Sequence, residues 1–135
     1  MNNSYGPTRL LHTMIRVSDL DRSIDFYTRI LGMKLLRRKD YPDGKFTLAF
    51  LGYDDEDRAS AIELTYNWET TSYEKGTAFG HLAVAVDDIY AYCDLLKQKN
   101  IEFSLEPGPM LYDPDEVIAF IHDPDGYMIE LIARQ

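Results

Sequence analysis

The sequence predicts an α+β fold made of two βαβββ modules. Three observations carry this expectation: a weak internal repeat, one amphipathic helical stretch early in each half, and strand-like runs after each helix punctuated by turn residues. "HTMIRVSDL" from His12 resembles "HLAVAVDDI" from His81, "LAFLGYDD" from Leu48 resembles "IAFIHDPD" from Ile118, and "AIELTY" resembles "MIELIA". Glu63 follows His12 by 51 positions, and Glu130 follows His81 by 49. Each half therefore opens on a histidine strand and closes on a glutamate strand.

In chain order, "RLLHTMIRV" is apolar and β-branched, as a strand should be. "SDLDRSIDFYTRILG" reads as a helix, with Ser18 as N-cap, Asp21 three residues on, and Leu20, Ile24, Tyr27 and Leu31 at helical spacing. Gly32 is placed to end it in the left-handed conformation. Two or three strands follow, separated by "YPDGK" and "GYDDEDR". The polar connection "NWETTSYEKGTAFG", Asn67 to Gly80, is longer than a typical loop. In the second half Asp87 is the expected cap, Ile89, Cys93 and Leu96 form the apolar stripe, and Asn100 is the stop. The modules are expected over 9–67 and 81–133, joined by 68–80. Neither half is large enough to be comfortable alone. Pairing of their sheets, within one chain or with a second, is the expected way to bury both faces.

A chain of 135 residues with 45% hydrophobic content fits one compact domain or two small modules sharing a core. A net charge of −9 makes nucleic acid and anionic membrane surfaces poor partners. The single cysteine, Cys93, allows no intrachain disulfide and points to a reducing compartment. "MNNSYGPTRLLH" lacks the features of a secretory signal, and "LAVAV" is far too short to span a bilayer. The expectation is a soluble, cytoplasmic domain.

Two glutamates stand out. Glu63 lies between Ile62 and Leu64, and Glu130 between Ile129 and Leu131, where an unpaired buried charge is costly. Side chains alternate along a strand, so His12 shares a face with Met14 and Arg16, and Glu63 with Thr65 and Asn67. His81 shares its face with Ala83 and Ala85, and Glu130 with Met128 and Ile132. If the halves are related by approximate two-fold symmetry, His12, Glu63, His81 and Glu130 converge, and a divalent metal would pair the buried charges. Two nitrogens and two oxygens suit Ni²⁺, Co²⁺, Zn²⁺, Fe²⁺ or Mn²⁺. Taken singly, each of the four reads more simply as a structural histidine or a solvated glutamate; the duplicated pattern favours the metal. His122 has no counterpart in the first half and is expected to be exposed, and Cys93 to be core rather than nucleophile.

"LLHTMIRVSDLDRSIDFYTRILGMKLLR", "FTLAFLGY", "IELTYNW", "GTAFGHLAV" and "DPDGYMIEL" together resemble the vicinal oxygen chelate superfamily and, within it, the short bacterial-type glyoxalase I (lactoylglutathione lyase) family, from Leu10 to Ile132. The resemblance implies two βαβββ modules whose sheets form a cupped, barrel-like surface around a metal, completed across a homodimer. It also implies metal ligands His12, Glu63, His81 and Glu130, with Glu130 as the base and acid of proton transfer and Glu63 its symmetric counterpart. Arg16 and Asn67 match residues that hold the glutathione part of the substrate.

The implied substrate is the hemithioacetal of glutathione and methylglyoxal, converted to S-lactoylglutathione by moving a proton between adjacent carbons through an enediolate that a bound cation stabilises. Ni²⁺ or Co²⁺ is favoured over Zn²⁺, and no organic cofactor is expected. The stretch "PMLYDPDEVIAF" departs from the resemblance: it carries Asp113, Asp115 and Glu116 where a basic loop is usual, which leaves open a cationic thiol conjugate. Rival readings are an acyl-CoA epimerase or ring-cleaving dioxygenase of the same superfamily, or a drug-sequestering binding protein. Retention of both glutamates weighs against the enzymes, and the full ligand set against the binding protein.

Overall fold

The computed structural model describes residues 5–135, which divide into two compact units, one ending at Tyr73 and the other starting at Glu74. In the first unit β1 (His12–Arg16) leads into α1 (Leu20–Asp25), followed by a π-helical segment (Phe26–Ile30) and strands β2 (Lys34–Tyr41), β3 (Phe46–Gly52) and β4 (Ala61–Asn67). The second unit repeats the plan with β5 (His81–Val86), α2 (Ile89–Gln98), β6 (Phe103–Met110), β7 (Asp113–His122) and β8 (Met128–Ala133). Each unit holds one four-stranded mixed sheet, in the orders β1-β4-β3-β2 and β5-β8-β7-β6. The first strand pairs parallel with the last in each, and the remaining pairings are antiparallel. This is the predicted βαβββ module, present twice.

The helices are capped one residue later than the sequence suggests. Asp19, in extended conformation, accepts a hydrogen bond from the Arg22 amide at 3.1 Å, and Ser18 instead accepts from the Arg22 guanidinium at 2.9 Å. Asp88 rather than Asp87 caps α2, accepting from the Ala91 amide at 3.1 Å. Each cap is the residue whose carboxylate reaches the amide three positions on, and its neighbour competes for the role with equivalent chemistry. Gly32 (φ 75°) and Asn100 (φ 61°) take the expected left-handed conformation at the helix ends.

The first helix also changes winding midway. Thr28 Oγ1 donates to the Ile24 carbonyl at 2.7 Å, and the Leu31 amide reaches five residues back to the Phe26 carbonyl at 3.1 Å. A hydroxyl inserted into the carbonyl ladder is a known cause of such widening. The wider turn keeps Phe26, Tyr27 and Ile30 buried together.

In each unit the helix covers one face of its sheet, and the alternation of buried residues records it. Val17, Tyr27, Leu51 and Leu64 are fully buried in the first unit; Cys93, Leu96, Ile129 and Leu131 are in the second. Burial pushes the Cys93 thiol up to about 11, so it is core and not a nucleophile. Among the described residues no helix is long and apolar enough to cross a membrane.

The turn that delivers β8 rests on one carboxylate. Asp123, 5% exposed, accepts hydrogen bonds at Oδ1 from the amides of Asp125 (3.0 Å) and Tyr127 (2.8 Å), and Gly126 completes the turn at φ 87°. Asp123→Ala leaves those amides without that acceptor and is expected to destabilise the protein by about 1–3 kcal/mol, the usual cost of orphaned buried donors. Urea unfolding measures this; a midpoint equal to the parent's would show that water replaces the carboxylate without loss.

Candidate metal centre

The strand registers put one histidine and one glutamate side by side in each unit. In the first, β1 runs parallel to β4 with Met14 opposite Glu63, so His12 lies one alternation step away on the same face. Its Nε2 stands 2.8 Å from Glu63 Oε1, with 35% of the imidazole and 14% of the carboxylate side chain exposed. In the second, Ala83 opposes Glu130 and His81 Nε2 stands 3.0 Å from Glu130 Oε1, the side chains 41% and 14% exposed. The glutamates that looked misplaced in apolar strands are thus paired and half-buried.

The surroundings repeat as well. Phe50 opposes Glu63 across β3 and β4, and its ring meets the His12 ring edge-on at a centroid distance of 5.2 Å. Phe120 opposes Glu130 across β7 and β8 and meets His81 in the same way, also at 5.2 Å. These T-shaped contacts fix the plane of each imidazole and hold its Nε2 toward the carboxylate. The sequence reading missed both phenylalanines; the "LAFLGY" and "IAFIHD" repeat was their only signal.

The surroundings of the two pairs differ in two ways that bear on the glutamates and phenylalanines. Thr65 Oγ1 donates to Glu63 Oε2 at 3.2 Å, so both oxygens of Glu63 are engaged. The position two residues beyond Glu130 is Ile132, whose side chain has no donor, and among the described residues the Glu130 carboxylate has no second hydrogen-bond partner. The second difference lies on the outer strand. Arg37 opposes Phe50 in the first unit, with its guanidinium carbon 3.7 Å from the ring centroid, whereas Leu105 opposes Phe120 in the second.

Arg16 lies on the Glu63 side of the first sheet, opposite Thr65, and is exposed. Asn67 ends β4 and its amide donates to the Tyr73 hydroxyl at 3.1 Å. His122 is exposed at the end of β7, as expected. The acidic stretch is not a loop: Asp113 and Met110 pair across a tight hairpin whose tip is Leu111 and Tyr112, and β7 begins at Asp113. Glu116 is held by Arg134 in a two-pronged ion pair of 2.7 and 2.8 Å, and its carboxyl is depressed by that partner. Asp113 and Asp115 are exposed.

The donor set suits a divalent ion of the nickel, cobalt or zinc kind. Each pair offers an imidazole nitrogen and a carboxylate oxygen already facing one another and partly open to solvent. One pair alone supplies two donors. Among the described residues no group of three or more His, Cys, Asp or Glu side chains is clustered so as to hold an ion.

A family model described as Glyoxalase/Bleomycin resistance protein/Dioxygenase superfamily matches residues 9–131. A lactoylglutathione lyase of Neisseria meningitidis is 55% identical over 127 residues, covering 94% of this chain and 91% of that one. A probable lactoylglutathione lyase of Synechocystis is 58% identical over 123 residues, covering 91% and 93%. Among solved structures, glyoxalase I of Zea mays superposes with a TM-score of 0.88 at 52% identity; the alignment covers 93% of this chain but only 44% of the maize chain. The trypanothione-dependent glyoxalase I of Leishmania major gives 0.85 at 46% identity, covering 94% and 87%.

Proposed function

Since this chain belongs to the glyoxalase/bleomycin resistance protein/dioxygenase superfamily, we propose that it is a lactoylglutathione lyase acting on the hemithioacetal of glutathione and methylglyoxal in the cytoplasm. The observation that carries this reading is the duplicated His–Glu pair, His12 with Glu63 and His81 with Glu130, each braced by a phenylalanine. We place the four side chains together around one divalent cation, Ni²⁺ or Co²⁺ before Zn²⁺, in a homodimer whose sites combine the first unit of one copy with the second unit of the other. Bound there, the cation supplies Lewis-acid stabilisation of the negative charge that develops on the substrate's two adjacent oxygens.

The proton is moved by this chain's own carboxylate. Glu130 is the base: an oxygen of its side chain takes the proton from C1 of the hemithioacetal and returns it to C2. The unequal hydrogen bonding supports this division of labour. Glu63 is held at both oxygens by His12 and Thr65, while among the described residues no donor meets the second oxygen of Glu130. Arg16 and Asn67 hold the tripeptide, each four residues along its strand from a ligand. At about 3.3 Å per residue that is roughly 13 Å, suited to a thiol gripped at its far end.

The exposed Asp113 and Asp115 favour one variant of this reading, in which the thiol carries a positive charge. The test covers both. Purified protein, stripped with a chelator and reloaded with Ni²⁺, Co²⁺ or Zn²⁺ in turn, is given methylglyoxal with glutathione or with a glutathione amide bearing an amine. Thioester absorbance is expected to rise with Ni²⁺ or Co²⁺ and to stop after chelation. Absence of any rise with every metal and both thiols sinks the lyase reading.

A further inference from the structure

On the face of the first sheet that carries Glu63, three residues stand in one row across neighbouring strands: Glu63 on β4, Phe50 on β3 and Arg37 on β2. The Arg37 guanidinium carbon lies 3.7 Å from the Phe50 ring centroid, and Glu56 holds the group as well. Its Nε lies 2.7 Å from one oxygen of Glu56 and its Nη2 3.1 Å from the other. Glu56 is itself tied down, because Arg9 donates to its backbone carbonyl. The Glu56 carboxylate raises the affinity of the guanidinium for its proton, with smaller help from Glu63; like any arginine, Arg37 is a permanent cation, here one strand beyond Phe50 from Glu63. Among the described residues no protein acceptor meets its Nη1. An exposed arginine normally loses rotamer freedom when it binds something; this one is already oriented, with one edge held and another open.

Arg37 does not stand alone on that face. Lys39, one alternation step along β2, lies in the row of Leu48, Thr65 and Arg16. The first face therefore carries cations on both edge strands, Arg16 on β1 and Arg37 with Lys39 on β2. In the second unit Ala85 stands four residues after His81, as Arg16 does after His12, and Leu105 stands where Arg37 does; Arg134, four residues after Glu130, is a cation already paired with Glu116. Two half-sites alike in their His–Glu–Phe core thus differ in what surrounds it.

We propose that Arg37, oriented by Glu56 and Phe50, binds a carboxylate of the substrate's thiol peptide and so makes a nearly symmetric site accept an asymmetric substrate in one orientation. The span is right. Arg37 is two strands from Glu63, roughly 10 Å at the spacing of paired strands, and an extended tripeptide reaches about the same distance. A guanidinium two strands from Glu63 meets the charged end of the substrate, not the carbons between which the proton moves. Leu105, in the matching place, offers no partner to an anion, so the reversed orientation loses that contact. The proposal rests on the reading of the substrate as a peptidyl thiol adduct.

The test is binding of S-hexylglutathione, a thioether that cannot react, followed by titration calorimetry on the nickel-loaded protein. Its counterpart is the same thioether with both carboxylates converted to amides. Arg37→Leu, which copies the second unit, is expected to bind S-hexylglutathione about tenfold to a hundredfold more weakly, the range for a lost charge-assisted hydrogen bond. It should bind the diamide within about twofold of the parent, and Arg37→Lys should recover part of the lost affinity. In turnover KM rises and kcat holds within about threefold, because the contact exists before and during proton transfer alike. If Arg37→Leu fails to fold, Arg37→Gln is read in its place. Equal affinity of the variant and the parent for S-hexylglutathione, or an equal loss for both ligands, overturns the assignment. A parent protein that binds neither ligand removes the thiol reading itself, and the proposal with it.

Discussion

Glu130→Gln is expected to lower turnover about 10²- to 10⁴-fold, the span of general acid–base catalysis, while the protein still folds and still takes up metal. Glutamine matches the shape of the side chain and keeps an oxygen to face His81 Nε2, which lies 3.0 Å from Glu130 Oε1. What it loses is the ability to receive a proton. Glu63→Gln is the necessary comparison. Its carboxylate is engaged by His12 at 2.8 Å and by Thr65 at 3.2 Å, so under the proposed ligand set a neutral substitute there is expected to weaken metal uptake first. The two variants should therefore separate: Glu130→Gln with near-normal metal content and little turnover, Glu63→Gln with weakened metal uptake and turnover partly restored by excess metal. Exchange of the substrate's C1 proton with solvent deuterium gives an independent reading, and it should vanish in Glu130→Gln. Full turnover in that variant would take the base assignment away from Glu130.

Much of this site was legible in the chain because strand alternation is a short-range rule. The positions of His12, Glu63, His81 and Glu130 within apolar strands were enough to put histidine and glutamate on matching faces of matching strands, and the structure pairs them within each unit. What escaped the sequence depends on contacts between distant residues or on a choice between chemical equals. Asp19 and Ser18 can both cap a helix, and only the backbone geometry selects Asp19. Arg37 and Glu56 are 19 residues apart on different strands and loops, with no local pattern to join them. The acidic run at Asp113 looks like a loop because Pro114 and three carboxylates depress strand propensity, yet pairing with β6 and the Arg134–Glu116 ion pair carry it as the start of β7. Thr65 belongs to the same class: its face was predictable, but its bond to Glu63, which makes the two glutamates unequal, was not.

The second large effect tests the proposal that the two pairs share one ion, and subunit mixing reads it out. One variant carries His12→Ala with Glu63→Gln and spoils the first unit; another carries His81→Ala with Glu130→Gln and spoils the second. Each alone is expected to be inactive, since a pair removed leaves two donors for the ion. If sites combine the first unit of one copy with the second unit of its partner, a mixed dimer contains one site with both pairs damaged and one with both intact. Random reassortment makes half of the dimers mixed, and each of these has one working site of two, so about a quarter of parental activity should return. Sites contained within single chains predict a different result: every site keeps one damaged pair whatever dimers form, and nothing returns. Two affinity tags, used in sequence to isolate mixed dimers, raise the expected recovery to about half and prove that exchange took place. Mixed dimers purified in this way with no activity would overturn the shared site, whereas recovery near one half would establish that the ion is held between copies.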